Sequence, residues 1–584
     1  MTKKTTIMKM KTNIMMLAAA GALAVATLAS CNDFLDATPD SRITVDTNKK
    51  IKALLTSAYP SVSYVRVAEL ASDNADDLNG TANGYYDRFS EQCFRWQEVT
   101  ESDNESPTMI WQGYYEAIAA ANHALDAMEK MGGAKTPEMK AYRAEALLCR
   151  AYAHFMLTNI FCLNYSKSHS SSDPGVPYIT KPETTLNPKY ERGTVADDYK
   201  MIEKDLLEGL SLMSDAIYEV PRYHFNAKAA YTFASRFYLF YQKPEEVIKY
   251  STLALGDNPQ GMMRDYGAMA NMPTDNMQPR AQQYTSSSEQ ANFLLLPVYS
   301  TDQYYFSGYS TGARFNNNSY IGQAEQFFAT PWAPDNEDAQ QSQNMFRFYW
   351  FYSSAYNKFM LPKTPAYFEE ENSTTHTGYY RTLVVALKSE EALLNRAEAY
   401  AITGQNAKCL DDINLWTGNF IADSVEYNTG EYDENWNYIY KWTKTNNHLT
   451  MDLVRKWADK YPYYRPERPA PRKHLHPDWI SLKEGSDQED LIQTLLLIRR
   501  IEFLHEGMRW FDIKRYGIKI YRRLIITSLN SLELTDSMSY RDPRQAVQLP
   551  FEVRAAGLEP NNRDAQQSGQ SYSKWQRRTL KLGE

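Results

Sequence analysis

Apolar residues return at i, i+3, i+4 and i+7 along much of this chain, the period of an amphipathic helix rather than the alternation of a half-buried strand. Ala144, Leu148, Ala151 and Phe155 make one such stripe. Thr194 followed by Asp197 predicts a capping box opening a helix, whose buried face continues through Tyr199, Ile202, Leu206, Leu210 and Met213. The breaks are as regular as the stripes. Gly256 should stop a helix after Ala254 and Leu255, Gln242-Lys243-Pro244 should separate two helices within residues 228–255, and Thr403-Gly404-Gln405 should do the same within 399–416. Two distant segments also repeat one another: Glu145-Ala-Leu-Leu-Cys-Arg-Ala-Tyr152 and Glu391-Ala-Leu-Leu-Asn-Arg-Ala-Glu398. Such self-similarity predicts stacked helix pairs that look like tetratricopeptide units, with alanines and glycines letting neighbouring helices approach closely. The expected class is all-α.

Helical period is lost over residues 257–373 and again over 417–487, where Asn, Gln, Ser, Pro and aromatics accumulate. Irregular stretches this long inside a compact chain are usually functional, so both read as loop-rich excursions from the scaffold, with short strands.

Composition narrows the function. With 43% hydrophobic and 23% charged residues the 584-residue chain is an ordinary globular protein, long enough for one large core or two packed lobes. The unusual feature is 13% aromatic content, led by 43 Tyr, which serves either core packing or a binding face. A net charge of −8 argues against nucleic acid, since phosphate recognition rests on clustered Lys and Arg. Cys93, Cys149, Cys162 and Cys409 show no metal or redox spacing and read as buried thiols, with one bridge, Cys149–Cys162 or one from Cys93, as the alternative in an oxidising compartment.

The fifth cysteine is different. Residues 3–11 are basic and 14–29 are uncharged and apolar, a run too short to span a bilayer and characteristic of a secretory leader. It ends Leu28-Ala29-Ser30-Cys31, which resembles the bacterial lipobox; Cys31 is therefore expected to carry lipid and become the first residue of the mature chain. Each acyl methylene contributes about 0.8 kcal/mol to membrane attachment, so several chains on Cys31 would anchor a soluble body.

The C-terminal run Arg499-Arg-Ile-Glu-Phe-Leu-His-Glu-Gly-Met-Arg-Trp-Phe-Asp-Ile-Lys-Arg-Tyr-Gly517 strongly resembles the signature of SusD/RagB lipoproteins. The likeness extends to residues 111–125, 144–161, Gly175-Val-Pro-Tyr178 and 388–415, together spanning most of the mature chain. It departs from the family at Leu504-His505-Glu506 and weakens over residues 549–562. The resemblance implies an all-helical scaffold with four tetratricopeptide-like units and a lipid anchor outside the outer membrane. It also implies a SusC-like TonB-dependent transporter as partner, a glycan ligand (or, in the RagB branch, a peptide), no cofactor and no catalysis. The parts expected are a leader (1–30), a lipidated tether (31–48), an N-terminal helical part (49–255), an aromatic ligand-face part (256–379) and a C-terminal part (380–584). Within the signature itself, Arg499, Glu502, Glu506, Arg509 and Asp512 lie at helical spacings where opposite charges pair, while Ile501, Leu504 and Met508 face the core, so the run reads as structure.

Apparent catalytic motifs fare poorly. Gly308-Tyr-Ser310-Thr-Gly312 fits a nucleophile elbow, but that motif needs a strand before it and a helix after it, whereas Asn316, Asn317 and Asn318 follow. Glu502 and His505 make one Glu-x-x-His where a di-iron bundle needs two. His474, His476 and Asp478 sit in a Pro-rich stretch that reads as an exposed loop, not a metal site.

A sugar offers C–H patches beside hydroxyls, so its receptor needs rings to stack and amides or carboxylates to hydrogen-bond. Residues 299–359 hold about twice the chain's aromatic density, interleaved with Arg314, Asn316, Asn317, Asn318 and Gln323. A second cluster runs from Asp73 and Asn74 through Tyr85, Tyr86 and Arg88 to Trp96. In SusD-like proteins N-terminal loops and a mid-chain loop build the ligand face, so the expected contacts are these six residues with Tyr304, Tyr305, Tyr309 and Trp332. Phe346, Phe348 and Phe351 look core-like, and Trp111 structural.

Overall fold

The computed structural model describes residues 45–563 and 578–581, apart from 80–86, 103, 185–187, 274–275, 308–312, 341, 343–344, 349, 527–528 and 530. The chain divides into Met1–Lys50, of which only 45–50 are described, and the compact unit Ile51–Glu584, which is the subject below. The leader and Cys31 lie outside the described residues, as do Tyr85, Tyr86, Tyr309 and Ser310. Among the described residues no helix is long and apolar enough to cross a membrane.

The principal helices are α1 (Val65–Ala71), α2 (Pro107–Lys130), α3 (Pro137–Phe161), α4 (Val195–Leu212), α5 (Ala227–Phe240), α6 (Pro244–Leu255), α7 (Ser389–Ile402), α8 (Asn406–Phe420), α9 (Met451–Lys460), α10 (Asp487–Glu502) and α11 (Met508–Tyr516). Among the described residues, α2 and α3, α5 and α6, α7 and α8, and α10 and α11 form helix–turn–helix pairs, and α7 packs on α6, α8 and α10 in turn. Local chemistry sets their ends. Ser106 and Thr136 cap α2 and α3, each ahead of a proline in the first turn, and Thr194 and Asp197 close the predicted capping box on α4; each cap contributes about 1 kcal/mol. Gly256 ends α6 with φ +67°, which a side chain would strain. The breaks at 242–244 and 403–405 fall where predicted.

The internal repeat has a shared structural job. Its first residue is a buried carboxylate that binds an earlier element: Glu145 Oε1 accepts from Tyr59 Oη at 2.6 Å, and Glu391 receives both Nε and Nη2 of Arg236 at 2.5 and 2.6 Å. Its sixth is an arginine that clamps an aspartate on a neighbouring helix, Arg150 on Asp205 at 2.7 and 2.8 Å and Arg396 on Asp412 at 2.8 and 2.7 Å. Two-pronged pairs of this kind orient one helix on the next as well as joining them.

The all-α expectation needs correction: the protein is mostly helical but carries sheets. Strands β1 (Asp76–Asp77), β2 (Asn292–Tyr299), β3 (Phe315–Asn316), β4 (Phe351–Ser353), β5 (Lys358–Met360), β6 (Tyr367–Asn372), β7 (Thr377–Lys388), β8 (Ser424–Tyr432), β9 (Tyr438–Lys444), β10 (Ile520–Ile526), β11 (Ser531–Met538) and β12 (Arg578–Lys581) are present. Among the described residues they form a five-stranded sheet β12-β11-β10-β1-β3, a three-stranded sheet β2-β7-β6 and the hairpins β4-β5 and β8-β9. The excursions are thus built structure rather than open loop. Their alternation was masked because several strands bury both faces, as β2 does.

Candidate functional site

The C-terminal signature folds as two helices, not one. α10 ends at Glu502, the chain turns through His505 (φ +66°) and Gly507 (φ +76°), and α11 begins at Met508. Gly507 is required twice over, since a Cβ there would also lie 2.9 Å from the Tyr64 ring and 3.1 Å from the Ala68 methyl. Arg499 does reach Asp512, at 2.9 Å, but across the turn. The other signature charges find distant partners: Glu502 and Glu506 share Lys388, Glu506 also takes Lys363, and Arg509 takes Asp73 at 2.8 Å. Ile501, Leu504 and Met508 are buried as expected, and His505 stacks on Phe306 with centroids 4.6 Å apart.

Asp73 and Asn74, expected on the ligand face, instead belong to a buried ionic hub. Glu325 sits at its centre, within 3.2 Å of Arg500 and 2.6 Å of both Lys473 and Arg523. Arg523 also grips Asp76 at 2.7 Å, and Asn74 Oδ1 accepts from Arg500 at 2.9 Å and from Gln326 at 3.0 Å. Burial alone would raise the Glu325 carboxyl, but Arg523, Lys473 and Arg500 outweigh it and hold the group at about 2. Burial pulls Lys473 down to about 8 against the attraction of Glu325 and Asp73. The hub ties the β1 segment to α10 and β10 and is a structural element.

Several expected ring contacts are likewise internal. Trp332 is 0% exposed and packs on Trp416 at 5.6 Å, so it has no face to offer a ligand. Tyr305 is buried beneath Arg66 and donates its hydroxyl to the Phe315 carbonyl at 2.7 Å. Trp96 donates its indole N–H to the Ala71 carbonyl at 2.8 Å, and the guanidinium of Arg522 lies 3.9 Å from its ring. Arg522 in turn caps α1 by donating to the carbonyls of Leu70, Ala71 and Ser72. Phe346 and Phe348 are buried, Phe351 is half-buried, and Trp111 packs edge-on against Phe161 at 5.1 Å. Arg88 remains exposed, 3.5 Å from Glu101, and Tyr304 is 40% exposed. His474 pairs with Glu484 at 2.7 Å while Asp478 accepts from Ser166, so these side chains turn apart.

The fold instead brings together a face of residues outside the expected contacts. On the sheet β2-β7-β6, Tyr299 pairs with Arg381, Arg381 with Tyr367, and Glu369 with Tyr379, which sets these side chains on one side. The Tyr299 and Tyr379 rings meet edge-on at 5.6 Å, and the Arg381 guanidinium covers Tyr299 at 4.1 Å while pairing with Glu369. Opposite stands the first part of α2. Between them opens a cleft of about 340 Å³ lined by Tyr299, Tyr379, Glu371, Asn104, Gln112 and Glu116, within the range of small-ligand sites. Gly113 lets β2's neighbour Val62 approach α2, where a Cβ would come 2.7 Å from a valine methyl. On the other side of the hairpin, Phe368, Tyr380 and Tyr304 form a second exposed cluster, with centroids 5.2 and 5.1 Å apart. A cavity lined by Tyr64, Tyr284, Lys363 and Lys388 measures only about 50 Å³, room for water but not for a sugar.

A family profile described as "Starch-binding associating with outer membrane" matches residues 33–239, and one described as "SusD family" matches residues 262–579, more than half of the chain. Among solved structures, a SusD superfamily protein from Bacteroides thetaiotaomicron is 17% identical, covers 88% of this chain and 100% of its own, and gives a TM-score of 0.56. A SusD superfamily protein from Bacteroides vulgatus is 14% identical over 88% of this chain and 97% of its own, with a TM-score of 0.55. A SusD-like carbohydrate binding protein from the same organism is 14% identical over 87% and 96%, with a TM-score of 0.53. At such identities the likeness speaks to the fold alone. No curated protein matches the chain.

Proposed function

The chain belongs to the SusD family, and from that premise we propose that it is a nutrient receptor that captures an oligosaccharide and passes it, chemically unchanged, to a SusC-like TonB-dependent transporter. Lipid on Cys31 would hold the body outside the outer membrane, with the leader 1–30 removed. The observation that carries the reading is the cleft between α2 and the sheet. Tyr299 and Tyr379 offer ring surface to sugar C–H groups, while Glu371, Asn104, Gln112 and Glu116 offer donors and acceptors to hydroxyls. Arg88 and Tyr304, which keep exposed side chains, are further proposed contacts, as are Tyr85, Tyr86 and Tyr309, which lie outside the described residues. Asp73, Asn74, Tyr305 and Trp332 are buried within the fold, and Trp96, itself buried, lines a separate opening of about 470 Å³ with Arg522 and Arg544.

A binding role suits the carboxylates of this cleft better than a hydrolytic one. Glu116 and Glu371 are both exposed and Glu116 accepts from Gln112 at 2.9 Å, whereas a glycosidase acid needs a sheltered, protonated carboxyl. The profile description of starch binding favours a glycan over a peptide. Calorimetry of residues 32–584 against a panel of oligosaccharides and peptides tests this. One oligosaccharide should bind, about tenfold more weakly to the double variant Tyr299→Ala/Tyr379→Ala. Binding of peptides alone, or of a sugar with no loss in that variant, would overturn it.

A further inference from the structure

The hairpin β8-β9 carries more exposed ring surface than the cleft does. Trp436 is 82% exposed and Trp442 67%, and Tyr432, Tyr438 and Tyr440 are each close to half exposed. These are not scattered. Tyr438, Tyr440 and Trp442 are alternate residues of β9, so they project from one side of the ribbon, about 6.8 Å apart, as a row roughly 13 Å long. Their directly paired residues on β8 share that side: Tyr432 stands opposite Tyr438, Asn428 opposite Tyr440 and Glu426 opposite Trp442. Tyr440 and Trp442 thus each have a hydrogen-bonding side chain beside them, and Tyr438 is paired with another ring, at 4.5 Å between centroids. The opposite side of the ribbon, with Val425 buried and Ile439 and Thr443 half-buried, faces inward.

Folding alone does not account for this pattern, because exposed Trp and Tyr forgo the burial that makes large rings stabilising. We infer that this side of the β8-β9 hairpin is a second carbohydrate platform, on which an extended neutral polysaccharide lies along Tyr438, Tyr440 and Trp442 with its hydroxyls bonded by Asn428 and Glu426. The inference rests on the reading of the ligand as a glycan but concerns a different surface. Three features select a polymer of sugars over a lipid surface. On that side, Tyr440 and Trp442 stand opposite side chains that hydrogen-bond rather than aliphatic ones. The hairpin carries Glu426, Glu431, Asp433 and Glu434 against Lys441 and Lys444 and so is net acidic, which anionic headgroups would repel. The turn is also held rigid by Asp433, whose Oδ1 accepts from the backbone of Asn435 and of Asn437 at 2.8 Å each, so the row is organised before ligand arrives.

The platform would hold a long chain while the cleft takes a shorter stretch of it, and the two surfaces separate in one experiment. Native gels containing amylopectin, xyloglucan or galactomannan would be run with residues 32–584, with Tyr440→Ala/Trp442→Ala and with Tyr299→Ala/Tyr379→Ala, each checked for unchanged thermal unfolding. Expected is retardation of the parent chain by one polymer, weakened about tenfold in the hairpin variant, whose calorimetric affinity for the matching short oligosaccharide stays that of the parent. Full retardation of the hairpin variant alongside loss in the cleft variant would overturn the platform and leave the cleft standing. No retardation of the parent by any polymer would overturn the platform, and the oligosaccharide calorimetry would then decide the cleft by itself. Parent chain that instead sediments with phosphatidylethanolamine–phosphatidylglycerol vesicles, in a manner lost in the hairpin variant, would replace the platform by a membrane contact.

Discussion

The hub around Glu325 and the two long hairpins, β6-β7 and β8-β9, invert the usual distribution of residue types. In the hub, Arg500, Arg523, Lys473, Asp73, Asp76 and Glu325 are all buried and matched charge to charge. On the hairpins, Tyr367, Phe368, Tyr379, Tyr380, Tyr432, Trp436, Tyr438, Tyr440 and Trp442 are exposed. Desolvating ions is costly unless each finds a partner, and the hub meets that condition by drawing partners from segments hundreds of residues apart. Exposed rings forgo the stabilisation that burial would supply, which makes sense where something outside the fold is to cover them. Charge inside therefore marks architecture here, and rings outside mark recognition.

Substitutions should separate the two regions sharply. Glu325→Gln leaves three cations without their shared carboxylate and should cost about 3–5 kcal/mol in urea unfolding. The same group sets the acid limit. Its folded value of about 2 lies below its ordinary 4.5, so its stabilisation is fully present above about pH 4.5 and lost as pH falls toward 2. Glu506 behaves alike: burial would raise it, but Lys363 and Lys388 hold it at about 2. The urea midpoint of the parent chain should thus fall steeply between pH 4.5 and 2, and less steeply in Glu325→Gln; equal slopes would remove Glu325 from the hub's energetics.

Trp332→Ala tests the same contrast with a ring on the inside. Loss of a fully buried indole should cost about 3–5 kcal/mol while leaving oligosaccharide affinity per folded molecule unchanged. A weaker affinity at full folding would move Trp332 to the recognition side. Gly507→Ala, which forces a side chain into left-handed backbone against Tyr64, should lower stability by about 1–2 kcal/mol in thermal melts. At the far end, Trp442→Ala should change unfolding by less than about 0.5 kcal/mol. A larger effect would make that ring part of the core and weaken the case for a platform.

Helices were the legible part of the chain, since caps, breaks and apolar stripes act within a few residues of one another. Thr194 with Asp197, the turn at 242–244 and Gly256 each did what their local chemistry implies. The rings were not legible. Trp332 and Trp96 have polar sequence neighbours, which suggest loops, but Thr330 beside Trp332 is itself buried, and Trp96, although Gln97 and Glu98 after it are exposed, is covered by the distant Arg522, so local polarity does not report exposure. Asp73 and Asn74 misled for the same reason, because their cationic partners stand more than four hundred positions away. One usable signal was present: Tyr438-Ile-Tyr440-Lys-Trp442 alternates with period two after the turn-forming Asp433-Glu-Asn-Trp-Asn437.

By itself, then, the amino-acid sequence determined the helical scaffold, its pairwise repeat and, through the C-terminal run, its family, because periodicity and capping are short-range properties. Tertiary structure alone decided that the excursions become sheets, that Asp73 lies in a hub and Tyr379 on a cleft, and which rings face water. Those outcomes depend on what each residue meets across the fold, and a side chain that is half apolar and half polar is at home on either side until its neighbours are in place.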